Sequence, residues 1–159
     1  MVDETDLRYL RRAVELAEQG LASGDEPFGS VLVAAEGTVL MADHNRVASG
    51  DATRHPEFAI ARWSATALTA SERAAATVYT SGEHCPMCAA AHGWAGLGRI
   101  VYASSCAQLS SWLADWGVPP GPVRPLPVRD VVPGAQVDGP VPALAEEVRA
   151  LQARFHGKG

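Results

Sequence analysis

The chain has 159 residues with 13 basic against 18 acidic side chains, a formal charge of −5 and a single lysine, Lys158. That length suits one domain that buries about 70% of its unfolded surface without a staple, and an acidic chain with no basic stripe lacks the footprint of a nucleic-acid binder. Three cysteines, no signal-peptide pattern and no apolar run approaching about 18 residues predict a soluble cytoplasmic protein with no membrane contact.

Leu7, Leu10, Val14, Ala17 and Leu21 recur at threes and fours, with Arg8, Arg11, Arg12, Glu15 and Glu18 opposite, so the chain opens on an amphipathic helix ending before Gly24. Residues 30–35 read as a strand, turned at Glu36-Gly37 into a second strand over 38–42. The polar run Asp43-His44-Asn45-Arg46 follows as a loop. Asn45 there serves either an ordinary turn or the edge of a heterocyclic ligand, to which an amide both donates and accepts. Ile60, Trp63 and Ala67 set a helix over 56–68, residues 76–80 a strand, and an alanine-rich run a helix over 86–94. A fourth strand over 99–103 leads to Ser104 or Ser105, either of which caps a short helix over 106–115. A helix between strands is what a parallel crossover needs, so strand five runs parallel to strand four. Eight of the eleven prolines crowd into residues 117–142, which obscures that strand; 128–132 is the best candidate. Leu144, Val148, Leu151 and Phe155 then share one face of a final helix within 143–156, and His156-Gly157-Lys158-Gly159 shows no pattern. No repeat or second domain is visible, so residues 1–159 read as a single domain.

The chemistry concentrates in Ser81-Gly82-Glu83-His84-Cys85-Pro86-Met87-Cys88 and in His55-Pro56-Glu57 upstream. Cys85 and Cys88, three apart with a Pro suited to the first helical position, place both sulfurs on the opening turn of one helix. His55 completes a Cys/Cys/His set, which leaves a fourth tetrahedral position open and marks a catalytic rather than a structural zinc. His55 and Glu57 point about 200° apart in mid-helix, but at a helix N-terminus both reach a metal beyond the axis. The only other cysteine, Cys106, reads as buried packing, so no four-cysteine site can form.

This constellation resembles the zinc nucleobase and nucleoside deaminases of the cytidine deaminase-like superfamily, with their H-x-E and C-x-x-C signature. Pro56 and His84 depart from the usual pattern, which has Ala after the ligand His and Pro before the first Cys. Pro27-Phe28-Gly29-Ser30-Val31, His44-Asn45-Arg46-Val47 and Tyr79-Thr80-Ser81 also resemble the guanine deaminase and tRNA adenosine deaminase branch, with guanine deaminase the nearest in look. The resemblance implies a three-layer α/β/α fold on a mixed five-stranded sheet with strands 4 and 5 parallel. It further implies a Zn2+ cofactor on His55, Cys85 and Cys88, with Glu57 carrying protons to a ring nitrogen and to the departing amine. The backbone amide near Glu83 would hold the departing group. Phe28 and Trp116 are candidate ring walls, or simply core. Asp115 falls within a residue of a base-binding aspartate in guanine deaminases. In that family the C-terminal segment covers the site, which gives Phe155 and His156 the place of a lid.

The expected activity is hydrolytic deamination of a free amino-substituted base, guanine first, with cytosine and aminotriazines possible, in a homodimer that binds no nucleic acid. Two other readings stand beside it. One is a tRNA adenosine, nucleoside or nucleotide deaminase. The other is a binding module with a closed structural zinc, taking His84 or His92 as fourth ligand.

Overall fold

The computed structural model describes residues 1–158, and Gly159 of the patternless terminus lies outside the described residues. Helix α1 (Glu4–Ala22) starts at a capping box in which Asp3 accepts from the Asp6 amide at 2.8 Å and Asp6 accepts from the Asp3 amide at 3.0 Å. Strands β1 (Gly29–Val33) and β2 (Val39–His44) form the hairpin. Helices α2 (Pro56–Ala67) and α3 (Ala70–Ala75) precede β3 (Thr77–Gly82), after which α4 (Pro86–Ala95) leads to β4 (Ile100–Ser104) and α5 (Cys106–Asp115). A short α6 (Val128–Val131), β5 (Val137–Asp138) and α7 (Pro142–Phe155) complete the chain.

The sheet order is β2-β1-β3-β4-β5, with β1 antiparallel to both neighbours and β3, β4 and β5 mutually parallel. Alternation along the strands sorts the core into two layers. Val31, Val33, Tyr79, Val101 and Ala103 face α1 and α7 together with Trp112 of α5. Leu32 and Val78 face Ile60 and Ala61 of α2, and Ile100 faces Ala89 of α4 and Val128 of α6. Gly29 lets β1 approach α1 closely, because a Cβ there would lie 2.2 Å from the Ala13 carbonyl oxygen.

The parallel fifth strand is present, but not at residues 128–132. Those residues form α6, in which Val128 and Val131 share one helical face against Ile100 and Ala89. β-Branched content suggests a strand there, while the i, i+3 spacing and the captured Val128 amide favour a helical turn. The strand is two residues long, with Ile100 opposite Val137 and Val101 opposite Asp138. Strand β2 also runs on through Asp43 and His44, paired with Ser30 and Gly29, where a loop was expected. Helix α3 went unread, although Thr69 and Glu72 supply its capping box.

One ionic cluster joins α1, β3, β4 and β5. Arg99 meets buried Asp6 through two bonds of 2.8 and 3.0 Å, and its Nε meets Asp138 at 2.8 Å. The Tyr79 hydroxyl donates to Asp6 at 2.9 Å. Burial pushes the Asp6 carboxyl up, but Arg99, the Asp3 amide and Tyr79 together hold it below the ordinary value. A lowered folded-state pKa gives stability that is present above the ordinary aspartate pKa of about 3.9 and lost as pH falls through the folded value. Replacing Arg99 by Met leaves Asp6 buried without its ion partner and should cost about 3 kcal/mol in urea unfolding at pH 7. The gap between variant and wild type should begin to narrow below about pH 4 and keep narrowing as pH falls through the lowered folded-state value, below which Asp6 of the wild type is protonated both folded and unfolded.

Candidate active site

Two helices begin in the same way. His55 is the N-cap of α2 and Cys85 the N-cap of α4, both with extended backbone, and Pro56 and Pro86 occupy the first helical positions. Neither cap side chain makes a capping bond, so imidazole and thiol project beyond the helix ends. Cys88 lies on the first turn of α4. Its sulfur, the Cys85 sulfur and His55 Nδ1 form a triangle with all three edges at 3.5 Å. A tetrahedral ion with bonds of about 2.0–2.3 Å spans edges of roughly 3.3–3.8 Å, so the set fits zinc. Among the described residues no fourth His, Cys, Asp or Glu joins this group. His84 and His92 instead meet edge to face at 5.3 Å, and His92 Nε2 bonds the Gly98 carbonyl at 2.8 Å. The closed four-ligand reading therefore falls.

The ligand electrostatics follow from the shared protons. The hydrogen bond shared with Cys88, reinforced by His55, lowers the Cys85 thiol to about 4, and the same bond together with burial pushes Cys88 up. His55 is raised because Cys85 accepts from its ring, with burial opposing. His55, Cys85 and Cys88 would hold a divalent cation in place of these protons, with both sulfurs as thiolates favoured by the two helix N-termini.

Glu57, on the first turn of α2, faces the same site. It is 6% exposed, and burial raises its pKa, with the His55 charge opposing. Its Oε1 accepts from Ser30 Oγ and Thr80 Oγ1, each at 3.0 Å. His55, Glu57 and Cys85 open into a cavity of about 450 Å³ whose far wall is apolar. Phe28 stands on one side, Leu109 and Leu113 of α5 on another, and Val118, Val123 and Leu126 of the proline-rich segment close it.

The structure brings together His55, Glu57, Cys85, Cys88 and Phe28, and leaves the remaining candidates outside the cavity lining. Asn45 is buried, its Oδ1 accepting from the Val47 amide at 2.9 Å while its Nδ2 has no partner. Asp115 is exposed near the end of α5, on a side of the helix away from Leu109 and Leu113. Trp116 packs against the α1 layer with its ring 6.3 Å from His156. Phe155 and His156 contact each other edge to face at 5.0 Å, and neither is among the described residues of this chain that line the cavity. The Glu83 amide donates to the Ser104 carbonyl at 2.8 Å, so the sheet uses it and no departing group can. Cys106 is half-exposed in the cavity wall rather than buried packing.

The outer wall escaped the sequence reading. Cys106, Leu109, Ser110 and Leu113 share one helical stripe opposite Trp112, a pattern visible in α5 once the site is known. The proline-rich residues gave no periodic signal. Glu83 holds this wall in place: its Oε2 accepts from the Cys106 amide and its Oε1 from the Val128 amide, both at 2.9 Å.

The sequence profile of the cytidine and deoxycytidylate deaminase zinc-binding region matches residues 3–104. The chain belongs to this family. Within it, the chain is 36% identical over 108 residues to a probable cytosine deaminase of Schizosaccharomyces pombe, a match covering 68% of this chain and 65% of that protein. It is also 36% identical over 97 residues to the guanine deaminase of Bacillus subtilis, covering 60% and 62%. The chain thus spans a little under two thirds of the length of each. tRNA-specific adenosine deaminases match too, at 29 to 37% identity. The solved guanine deaminase of Nitrosomonas europaea shares the fold, with a TM-score of 0.69 over 99% of this chain and 86% of that one at 19% identity.

The protein should bind one zinc per chain. Cys85→Ser and Cys88→Ser should each lose the ion, measured by atomic absorption after dialysis, because thiolates are the strong ligands. Full zinc occupancy in both variants would refute the ligand set.

Proposed function

We propose that this protein hydrolyses the amino group of a free nucleobase or base-like ring, releasing ammonia, with guanine the leading candidate and cytosine or an aminotriazine close behind. The observation that carries this reading is the shared opening of Glu57 and the His55, Cys85 and Cys88 triangle into one largely apolar cavity. Among the described residues no lysine or arginine lines that cavity. A flat, uncharged ring suits such walls, and a phosphate does not.

A zinc ion on His55, Cys85 and Cys88 would supply an acidified water as nucleophile. The chain does the rest. Burial makes Glu57 hold a proton at higher pH than an exposed carboxyl, which suits a group that takes one proton from the attacking water to a ring nitrogen and then carries the second, from the hydroxyl so added, to the amine as its C–N bond breaks. Phe28 offers one side of the ring an aromatic wall, and the apolar far wall excludes water.

The tRNA reading has relatives in its favour and the −5 charge against it. Two further assignments belong to this proposal. Reduced thiolates suit the cytoplasm. The neighbouring helices α2 and α4 expose Trp63 and Trp94, the latter at 92%, which supports a homodimer through that face. Light scattering at micromolar concentration checks it, and a monomer would count against it.

Ammonia release across guanine, cytosine, adenine, aminotriazines, their nucleosides and a tRNA stem-loop tests the substrate class. A free base should be turned over fastest, and a stem-loop or nucleoside in first place would overturn the reading. Glu57→Gln should keep its zinc while turnover falls by at least about 10²-fold. Retained turnover would assign the proton transfer to another group.

A further inference from the structure

Ser30 of β1 and Thr80 of β3 are directly opposed cross-strand partners on the sheet face that meets α2. Both are fully buried. Their neighbours on that face, Leu32 and Val78, are aliphatic, so two hydroxyls at the end of the layer carry a desolvation cost that hydrogen bonds must offset. Those bonds converge on one atom. Ser30 Oγ and Thr80 Oγ1 each lie 3.0 Å from Glu57 Oε1 and 2.9 Å from one another. Thr80 Oγ1 also lies 2.9 Å from the Gly82 carbonyl oxygen, on the strand that leads to Cys85.

Each hydroxyl has one hydrogen and two lone pairs. Ser30 donates to Oε1, and Thr80 shares its one hydrogen between Oε1 and the Gly82 carbonyl, so Oε1 is the oxygen that the hydroxyl pair engages. The other oxygen, Oε2, receives neither hydroxyl. We propose that Ser30 and Thr80 are positioning residues that pin Oε1, so that Oε2 alone carries the proton between water and substrate. Cross-strand pairing fixes the two hydroxyls relative to each other, and the sheet fixes them relative to the zinc-ligand loop. A glutamate on three rotatable bonds is thereby held to one orientation, where a displacement of about 1 Å is enough to slow proton transfer severely.

This inference rests on Glu57 being the acid and base of the deaminase reading, and its test separates the two. Ser30→Ala and Thr80→Val each delete one hydroxyl, while Thr80→Ser keeps it. On the base that wild type turns over fastest, each deletion should lower kcat by about tenfold or more with KM within about twofold, at unchanged zinc content and melting temperature. Thr80→Ser should restore most of kcat, which a purely packing role for the threonine methyl would not do. Crystal structures of the zinc-loaded deletion variants should show the Glu57 carboxylate leaving its single orientation. Unchanged kcat in both deletions would overturn the proposal. So would losses that track zinc or melting and recur in Thr80→Ser, or a carboxylate that stays in place. If Thr80→Val folds poorly, Ser30→Ala carries the kinetic comparison alone. Should wild type deaminate no base in the panel, the substrate reading fails, and the orientation of the carboxylate still decides the pinning.

Discussion

The structure depends on two helix N-termini meeting at one point. Each helix presents its cap residue rather than a capping bond, and each follows that residue with a proline that has no amide to leave unpaired. The cost of two uncapped ends is offset where it is useful, because the free amides and aligned dipoles favour the anionic sulfurs between them. For the two ends to meet, α2 and α4 must lie side by side on one face of the sheet. The parallel step from β3 through α4 to β4 places α4 there. The antiparallel β1 and β2 hairpin leaves the adjoining space for α2.

The cavity divides along the chain. Its metal and acid come from residues within the family match at 3–104, whereas most of its apolar wall comes from residues 106–126 beyond that match. Glu83 joins the halves. It stands two residues before the first thiolate and accepts amides from the first turns of both α5 and α6, so the wall takes its position from the loop that carries the sulfurs. The metal ligands and most of the apolar wall are thus set by different segments, with one carboxylate keeping them in register.

The legible parts of the sequence were those in which local chemistry and periodicity agreed. A Pro between two cysteines three apart, and a Pro between His55 and Glu57, fixed helix starts and ligand directions together, and the structure places them so. The long amphipathic α1 and α7 lie where their apolar stripes placed them. Residues 128–132 misled because three valines carry β propensity, while the deciding interaction was the Glu83 carboxylate, 45 residues away in the chain. Strand β5 was illegible because two residues hold no period. The hydroxyl pair at Ser30 and Thr80 was equally hidden, since its meaning lies in cross-strand register, which a single strand read alone does not contain.

The proline-rich wall has a consequence of its own. It is fastened at one end by the Val118 amide on the Leu113 carbonyl, at 2.9 Å, and at the other by Glu83 on the Val128 amide. Between them lie Pro119, Pro120, Pro122, Pro125 and Pro127, whose rings fix backbone angles, joined by one local bond from the Leu126 amide to the Arg124 carbonyl at 2.9 Å. Such a span is stiff in the unfolded chain as well, so it costs little to order, and its shape owes little to the side chains placed between the prolines. It behaves as an interchangeable cassette. Val123 and Leu126 can be varied to reshape the cavity while the His55, Cys85 and Cys88 triangle, Glu57 and the sheet stay as they are, which makes this segment the natural place for selection, or a designer, to change what the cavity admits.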